Sequence, residues 1–396
     1  MKKEKIYQES FIIFTGLLFA GLVIEYVNDG KGVPQIQFPY NGLGLFFHIL
    51  LGVILIFIFK KSALTQWLTK IPVSIVSMIG FLLVCTILGI VPQIETDNEW
   101  IQKFRLNNVT TSWYFTFMVF WMLTCLLLVG LKRIQNGIFK NGGFILNHIG
   151  LYIALVAGIF GSTDIQRVVL EVEENKLNWI VKDEVAQKPV ELPFAIYLDE
   201  FILEEYLPKI SIHDNHSGEL ITNQGKTIIE AKEGTIFEVE GNPIEIKKYL
   251  PFAIKFGEDF KQVYQYGASP AVLLESKGNQ FWLASGTYNF PAQNYPITKD
   301  KTLILTFPEP KKYQSNIKII DQKGNETKAT LLVNETFHYE GWKIYQLGFD
   351  DKKGRWSEKS SFELIRDPWL PMVYIGIFMM IVGSVYMIWI GKRNKT

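Results

Sequence analysis

Apolar residues gather into six long runs, roughly Phe11–Val27, Leu43–Phe59, Ile71–Val91, Trp113–Leu131, Phe144–Gly161 and Trp369–Ile390. A helix needs about 20 mostly apolar residues to cross the hydrocarbon core of a bilayer, so the pattern predicts about six spans. Between the fifth and sixth runs the period changes. FEVEGNPIEIKKY alternates apolar and polar positions around Gly-Asn-Pro, and NIKIIDQKGNETKATLLV reads as two strands joined at Gly-Asn. KTLILTF and ELPFAIYLDEF read as further short strands, and no long run of period 3.6 interrupts them. The expected fold is a polytopic α-helical membrane protein of about six spans. A large β-rich domain lies between spans 5 and 6, built as one sandwich or two small lobes. Asp367-Pro368 marks the return to helix, a capping carboxylate followed by a proline suited to a first turn.

These changes of pattern divide the chain into an N-terminal hairpin (1–61), a three-span core (62–162), the β-rich domain (163–367) and a C-terminal helix with a basic tail (368–396). The near-neutral total, 40 basic against 39 acidic residues, hides an asymmetry between them. From Thr163 to Asp367 there are 25 basic and 32 acidic residues, and elsewhere 15 basic and 7 acidic. MKKEK, the Lys60-to-Lys70 turn, the Lys132-to-Lys140 turn and the GKRNKT tail carry most of the latter positive charge. Cytoplasmic loops are enriched in Lys and Arg, so both termini are expected in the cytoplasm and the β-rich domain outside it. The first run has a basic start but no small-residue cleavage site, and is expected to be retained as a span. No basic face points to nucleic acid. Cys85 and Cys125 sit singly in apolar runs and read as small hydrophobes.

Ionisable side chains inside a span are costly and mark candidate sites. His48 lies in LGLFFHILLG and His148 in FILNHIGLYIALVAGIFG. Counted from the ends of their runs, they are expected near opposite faces of the membrane, with separate partners. With His148 at zero and about 100° per residue, Gly150, Ala154, Ala157, Gly158 and Gly161 form a stripe on the far side of the helix. That stripe is expected to pack closely on a neighbouring helix, while His148 faces a cavity or partner beside Leu151, Tyr152 and Leu155. The imidazole is then either a neutral group hydrogen-bonded to a neighbour or a ligand. His213 and His216, in SIHDNHSGEL, read as an exposed polar turn, and His338 as half-buried or edge-facing in an aromatic-rich strand. No nucleophile elbow, P-loop or zincin motif is present in the sequence.

Several of these stretches resemble the ResB family of the System II cytochrome c maturation pathway. ILGIVPQ, SWYFTFMVFWMLTCLLLVGLKRI and NHIGLYIALVAGIFG resemble the family's first three spans. LPFAIYLDEFILEEY resembles the strand opening its outer domain, and VNETFHYEGWKIYQ and RDPWLPMVYIGIFMMIVGS its closing motif and return helix. The resemblance covers roughly Ile71 to Ile390 and leaves the N-terminal hairpin, with His48, as an addition. It implies a subunit in the bacterial cytoplasmic membrane that moves haem across and supports its attachment to apocytochrome c, together with a CcsA-like (ResC-like) partner. It implies haem b as a transient group shared with that partner. His148 matches the family's candidate axial haem ligand, with Lys140, Lys132 or Arg133 near enough for the propionates; His48 is a lesser candidate. The partner's tryptophan-rich WGxxWxWD-type motif has no counterpart among this chain's tryptophans, so a non-catalytic or co-catalytic role in a haem lyase complex is implied. A reading from another class is a membrane-anchored β domain that binds or scaffolds envelope proteins without haem transfer.

Overall fold

The apolar runs fold as helices whose ends are set by local chemistry. In the computed structural model, which describes residues 2–182, 189–221, 228–287 and 290–393, they are α1 (Lys2–Val27), α2 (Tyr40–Phe57), α4 (Ile71–Ile90), α6 (Trp113–Gln135), α7 (Gly142–Gly161) and α8 (Leu370–Arg393). Two short helices, α3 (Ala63–Leu68) and α5 (Glu99–Lys103), lie in the connections. Ser112 caps α6 by accepting from the Phe115 N–H at 3.2 Å, and Asp367 caps α8 by accepting from the N–H groups of Trp369 and Leu370. Helix α1 begins nine residues before its apolar run, because KKEKIYQES continues the helix with polar residues that a hydropathy pattern does not register. Among the described residues, six helices are long and apolar enough to cross a membrane.

These helices make up one compact unit, Met1–Gln166 with Arg366–Thr396. Helix α6 is its centre: Tyr114, Met118, Leu123 and Leu128 are fully buried, and α1, α2, α4 and α7 pack around them. The N-terminal hairpin is built into this core. The buried carboxylate of Glu25 in α1 accepts from the Trp113 N–H at the start of α6 (2.7 Å). Asp164, just past α7, accepts from Asn41 Nδ2 (2.7 Å), the Phe38 N–H (2.8 Å) and Trp369 Nε1 (2.6 Å).

Helices α7 and α8 approach through glycine. A β-carbon at Gly150 would lie 2.6 Å from the carbonyl oxygen of Gly376, and one at Gly383 would lie 2.7 Å from that of Gly143. Contacts this close need residues without side chains. The expected stripe therefore packs as a helix interface, with one exception: no atom outside its own helix turn lies within 4 Å of where a β-carbon of Gly158 would be.

The second unit, Arg167–Ile365, is β-rich and has two main cores and a smaller cluster around Leu250 and Phe260. The chain enters the first lobe through β1 (Gln166–Glu173), β2 (Leu177–Lys182) and β3 (Pro189–Glu205). It then builds the whole second lobe: β4 (Lys209–Asp214), β5 (Ile228–Glu230), β6 (Ile236–Val239), β7 (Asn242–Phe256), β8 (Asp259–Gln262), β9 (Ser269–Ser276), β10 (Asn279–Ala284), β11 (Tyr295–Pro296) and β12 (Lys301–Leu305). It returns to the first lobe with β13 (Pro310–Asp321), β14 (Glu326–Leu332), β15 (Thr336–Tyr339), β16 (Trp342–Phe349) and β17 (Lys359–Arg366). In the first lobe, sheet β1-β17-β16-β15 faces sheet β14-β13-β3-β2 across Leu170, Ile196, Ile319 and Phe362. In the second, sheet β10-β9-β7-β6, with β8 on β7, faces β11-β12-β4-β5 across Ile210, Ile246, Leu274 and Leu283. The two-lobe alternative is the one that forms.

Two strand expectations need correction. ELPFAIYLDEF is part of a 17-residue strand, β3, longer than the short strand predicted. A bulge opposite Asn316 and Ile317 leaves Asp199 as the extra residue, so the buried positions shift from Leu192, Phe194, Ile196 and Leu198 to Phe201. The β6–β7 turn is Glu240-Gly241 rather than Gly-Asn-Pro. Both turn residues have positive φ (52° and 74°), the two-residue hairpin geometry that matches strand twist, and Asn242 and Pro243 already belong to β7.

Candidate functional site

His148 lies six residues after the start of α7, about 9 Å along the helix axis at ~1.5 Å per residue. The side of α7 opposite the glycine interface borders a cavity of about 580 Å³. Helices α4 and α7 both pack on α6, and residues of all three line the space between them. Its walls are mostly apolar, with Met78 from α4, Met122 and Leu126 from α6, and Leu151 and Leu155 from α7. Two of the neighbours expected for His148, Leu151 and Leu155, thus share its cavity.

The imidazole is fixed by the residue one turn before it. Its Nδ1 lies 3.1 Å from the carbonyl oxygen of Phe144, which can only accept, so the Nδ1 proton donates there. The neutral ring then carries its lone pair on Nε2, which has no hydrogen-bond partner among the described residues. The Phe144 ring stacks on the imidazole with centroids 3.6 Å apart, and Arg133 Cζ lies 4.9 Å from the centroid of Phe144. Lys132 also lines the cavity, with Nζ 3.0 Å from Thr69 Oγ1. The side chain of Lys140 lies outside the described residues. Ser74 adds a buried hydroxyl to the wall, its Oγ unpartnered among the described residues. Chemically the arrangement offers a nitrogen lone pair inside an apolar cavity that carries positive charge on its wall.

His48 is placed differently. Its Nδ1 is 2.9 Å from the Tyr152 hydroxyl and its Nε2 is 3.0 Å from Thr124 Oγ1. Thr124 donates its own proton to the Phe120 carbonyl (2.7 Å), so it accepts from His48 Nε2–H, and Nδ1 accepts from Tyr152. Both nitrogens are engaged, and His48 joins α2 to α6 and α7. It does not line the cavity. The expectation that the two histidines lie near opposite faces is corrected. Helix α2 starts at Tyr40, which puts His48 near its middle, and its partner Tyr152 is one turn past His148.

The other histidines belong to the β-rich unit and do not line this cavity. His213 is in β4, paired with Thr302, with Nε2 3.1 Å from Ser211 Oγ. It is on a strand, whereas an exposed turn was expected. His216 is in the following turn, exposed and 2.9 Å from Asp300. His338 is exposed on the edge strand β15. Among the described residues, no group of three or more His, Cys, Asp or Glu side chains is placed to hold a metal ion.

The β-rich unit has its own cavity of about 810 Å³, with Tyr266, Phe307, Phe349 and Trp356 among its lining residues. Glu205 and Arg355 form an ion pair on its wall, with side chains 13% and 14% exposed, and Arg355 also donates to the Pro251 carbonyl (2.8 Å). Burial pushes the Glu205 carboxyl above its usual range, and the Arg355 guanidinium only partly offsets this.

Phe144, Thr69 and Ser74 were not anticipated as part of the site. Phe144 was legible in principle, since residues four apart share a helix face. Thr69 and Ser74 come from a different helical region, and no local signal joins them to His148.

Comparison with known proteins gives one family. The model of the ResB-like family matches residues 134–359, more than half of the chain, including α7 with His148 and nearly all of the β-rich unit. No curated protein matches. Among solved structures, one described as "Cytochrome c Heme Lyase CcmF" is similar at 11% identity and a TM-score of 0.23, over 88% of this chain and 44% of that one. The chain thus spans less than half the length of that protein, and a likeness this low carries no weight for fold or function.

Proposed function

Because the chain belongs to the ResB-like family, we propose that it is a membrane subunit of cytochrome c maturation that holds haem as cargo on its way to apocytochrome c. The observation that carries this reading is the state of His148: its Nδ1 proton is tied to the Phe144 carbonyl, and its Nε2 is left unengaged on the wall of a 580 Å³ cavity. A neutral imidazole is an axial ligand for haem iron. The cavity's apolar walls suit a porphyrin, and its volume falls in the range of small-molecule sites.

In this reading the six apolar helices cross the bacterial cytoplasmic membrane with both termini inside. The His148 end of α7 then faces the cytoplasmic leaflet, and the β-rich unit lies outside. Residues 62–162 and 368–396 form the haem-handling membrane part, with residues 1–61 bracing it through Glu25 and His48. Haem b passes transiently between this chain and a CcsA-like partner, and the thioether chemistry belongs to the partner. This chain's own residues bind and orient: Phe144 sets the imidazole tautomer, and α6 closes the floor of the cavity.

The test is genetic and biochemical. Deleting the gene should abolish covalently haem-stained cytochrome c, and a copy carrying His148→Ala should restore less than a tenth of what the wild-type copy restores. Normal haem-stained cytochrome c in the deletion strain would overturn the proposal in favour of a scaffold without haem.

A further inference from the structure

The wall of the His148 cavity carries two cations that no carboxylate among the described residues answers. Lys132 and Arg133 both line it, and among the described residues neither has an acidic side chain within 4 Å. Among the described residues Lys132 Nζ meets only the neutral Thr69 hydroxyl, and Arg133 lies over Phe144 with its Nη1 at 3.5 Å from Asn141 Oδ1. Both residues occupy the last turn of α6, where the helix dipole favours positive charge. That accounts for cations at this end of the helix. It does not account for two consecutive residues, about 100° apart around the axis, lining the same cavity. Nor does it account for one of them lying on the ring that stacks against His148.

We infer that this end of the cavity is a carboxylate subsite, and that the cavity takes a planar apolar dianion with its two carboxylates at Lys132 and Arg133. The inference rests on the haem reading and adds that the porphyrin is held by its propionate edge as well as by its metal. Charge-assisted bonds from a guanidinium and an ammonium would fix which edge of the porphyrin lies at the basic end. The vinyl edge, where thioethers form, would then point away from it. The same chemistry, an anionic head on an apolar body, also describes a phospholipid, so the test must separate the two.

Metal-free protoporphyrin IX and its dimethyl ester isolate carboxylate recognition from iron ligation. Binding of each to the full chain in zwitterionic nanodiscs is followed by porphyrin fluorescence, with empty nanodiscs subtracted. The wild type should bind the acid at least tenfold more tightly than the ester. The Lys132→Gln, Arg133→Gln double variant should lose that preference while keeping the wild-type Soret spectrum with iron protoporphyrin, which reports that the cavity is folded and His148 intact. His148→Gly should keep the acid preference, so failure of the ligation reading and failure of this inference give different results. Equal binding of acid and ester by the wild type overturns the inference without any variant. Loss of the acid preference when phosphatidylglycerol is added to the nanodiscs would overturn the porphyrin assignment in favour of a lipid phosphate.

Discussion

The imidazole of His148 lies on the ring of Phe144, with centroids 3.6 Å apart and planes 19° from parallel, while its Nδ1 bonds the same residue's carbonyl oxygen. One residue thus holds the histidine by its side chain and its backbone. The two holds separate by mutation. Phe144→Ala removes the stack and the surface under Arg133 but keeps the carbonyl, so tautomer and ligation should persist. Stability should fall by about 0.5–1.5 kcal/mol beyond the lost area, the usual worth of an aromatic pair. Thermal unfolding in detergent measures the first effect and the Soret position the second. A shifted Soret band would show that the stack, not the carbonyl, sets the ring.

His48 should behave as a structural residue. Tyr152→Phe strips one partner from a buried imidazole, and an unpaired buried polar group costs about 1–3 kcal/mol. The unfolding temperature should drop, and the haem spectrum should not move. A changed spectrum in Tyr152→Phe or His48→Phe would place His48 in the ligand's environment after all.

Helix α7 should tolerate bulk at one glycine and refuse it at another. A side chain at Gly150 would run into the Gly376 carbonyl, whereas the space around Gly158 is open. Gly150→Leu is expected to destabilise by at least about 1–3 kcal/mol, the cost of overpacking, and Gly158→Leu much less. Limited proteolysis of the two variants side by side checks this, and equal sensitivity would contradict the α7–α8 interface.

The Glu205–Arg355 pair gives the β-rich unit a pH dependence. Glu205 holds its proton more tightly folded than unfolded, so its contribution to stability is present below the ordinary carboxylate pKa and is lost as pH rises through the raised folded value. Arg355→Met removes the group that pulls this value back down, and the loss should extend to higher pH. Breaking a buried pair costs about 3–5 kcal/mol. The deficit relative to wild type should therefore be small near pH ~4 and large near pH ~8, read as denaturation midpoints by tryptophan fluorescence. Glu205→Gln in the same chain should recover most of it. A deficit independent of pH would mean that Arg355 acts through its packing on Phe252 instead.

Much of this was legible in the pattern of residues, for physical reasons that also mark where it stopped. Apolar runs report helices directly, because length and hydropathy are the only requirements, and the stripe through Gly150 and Gly161 follows from helical period alone. The same period put His148 on the opposite side, where the cavity lies. Hydropathy does not register where a helix continues with polar residues, so α1 and α2 start earlier than their runs and His48 was placed too near an end. The bulge at Asp199 resets an alternation that period-two reasoning assumes to be continuous. Thr69 and Tyr152 find their partners, and Ser74 its place on the cavity wall, through tertiary packing, and nothing in a local window signals it.

The central claim is that His148 Nε2 ligates haem iron, and its most direct test is the Soret spectrum of the haem-loaded complex in His148→Gly. The glycine variant should lose or shift the band relative to wild type and regain it when imidazole fills the vacated space, since Phe144 still frames the site. An unchanged Soret band and haem yield in His148→Gly, with no response to imidazole, would contradict the account.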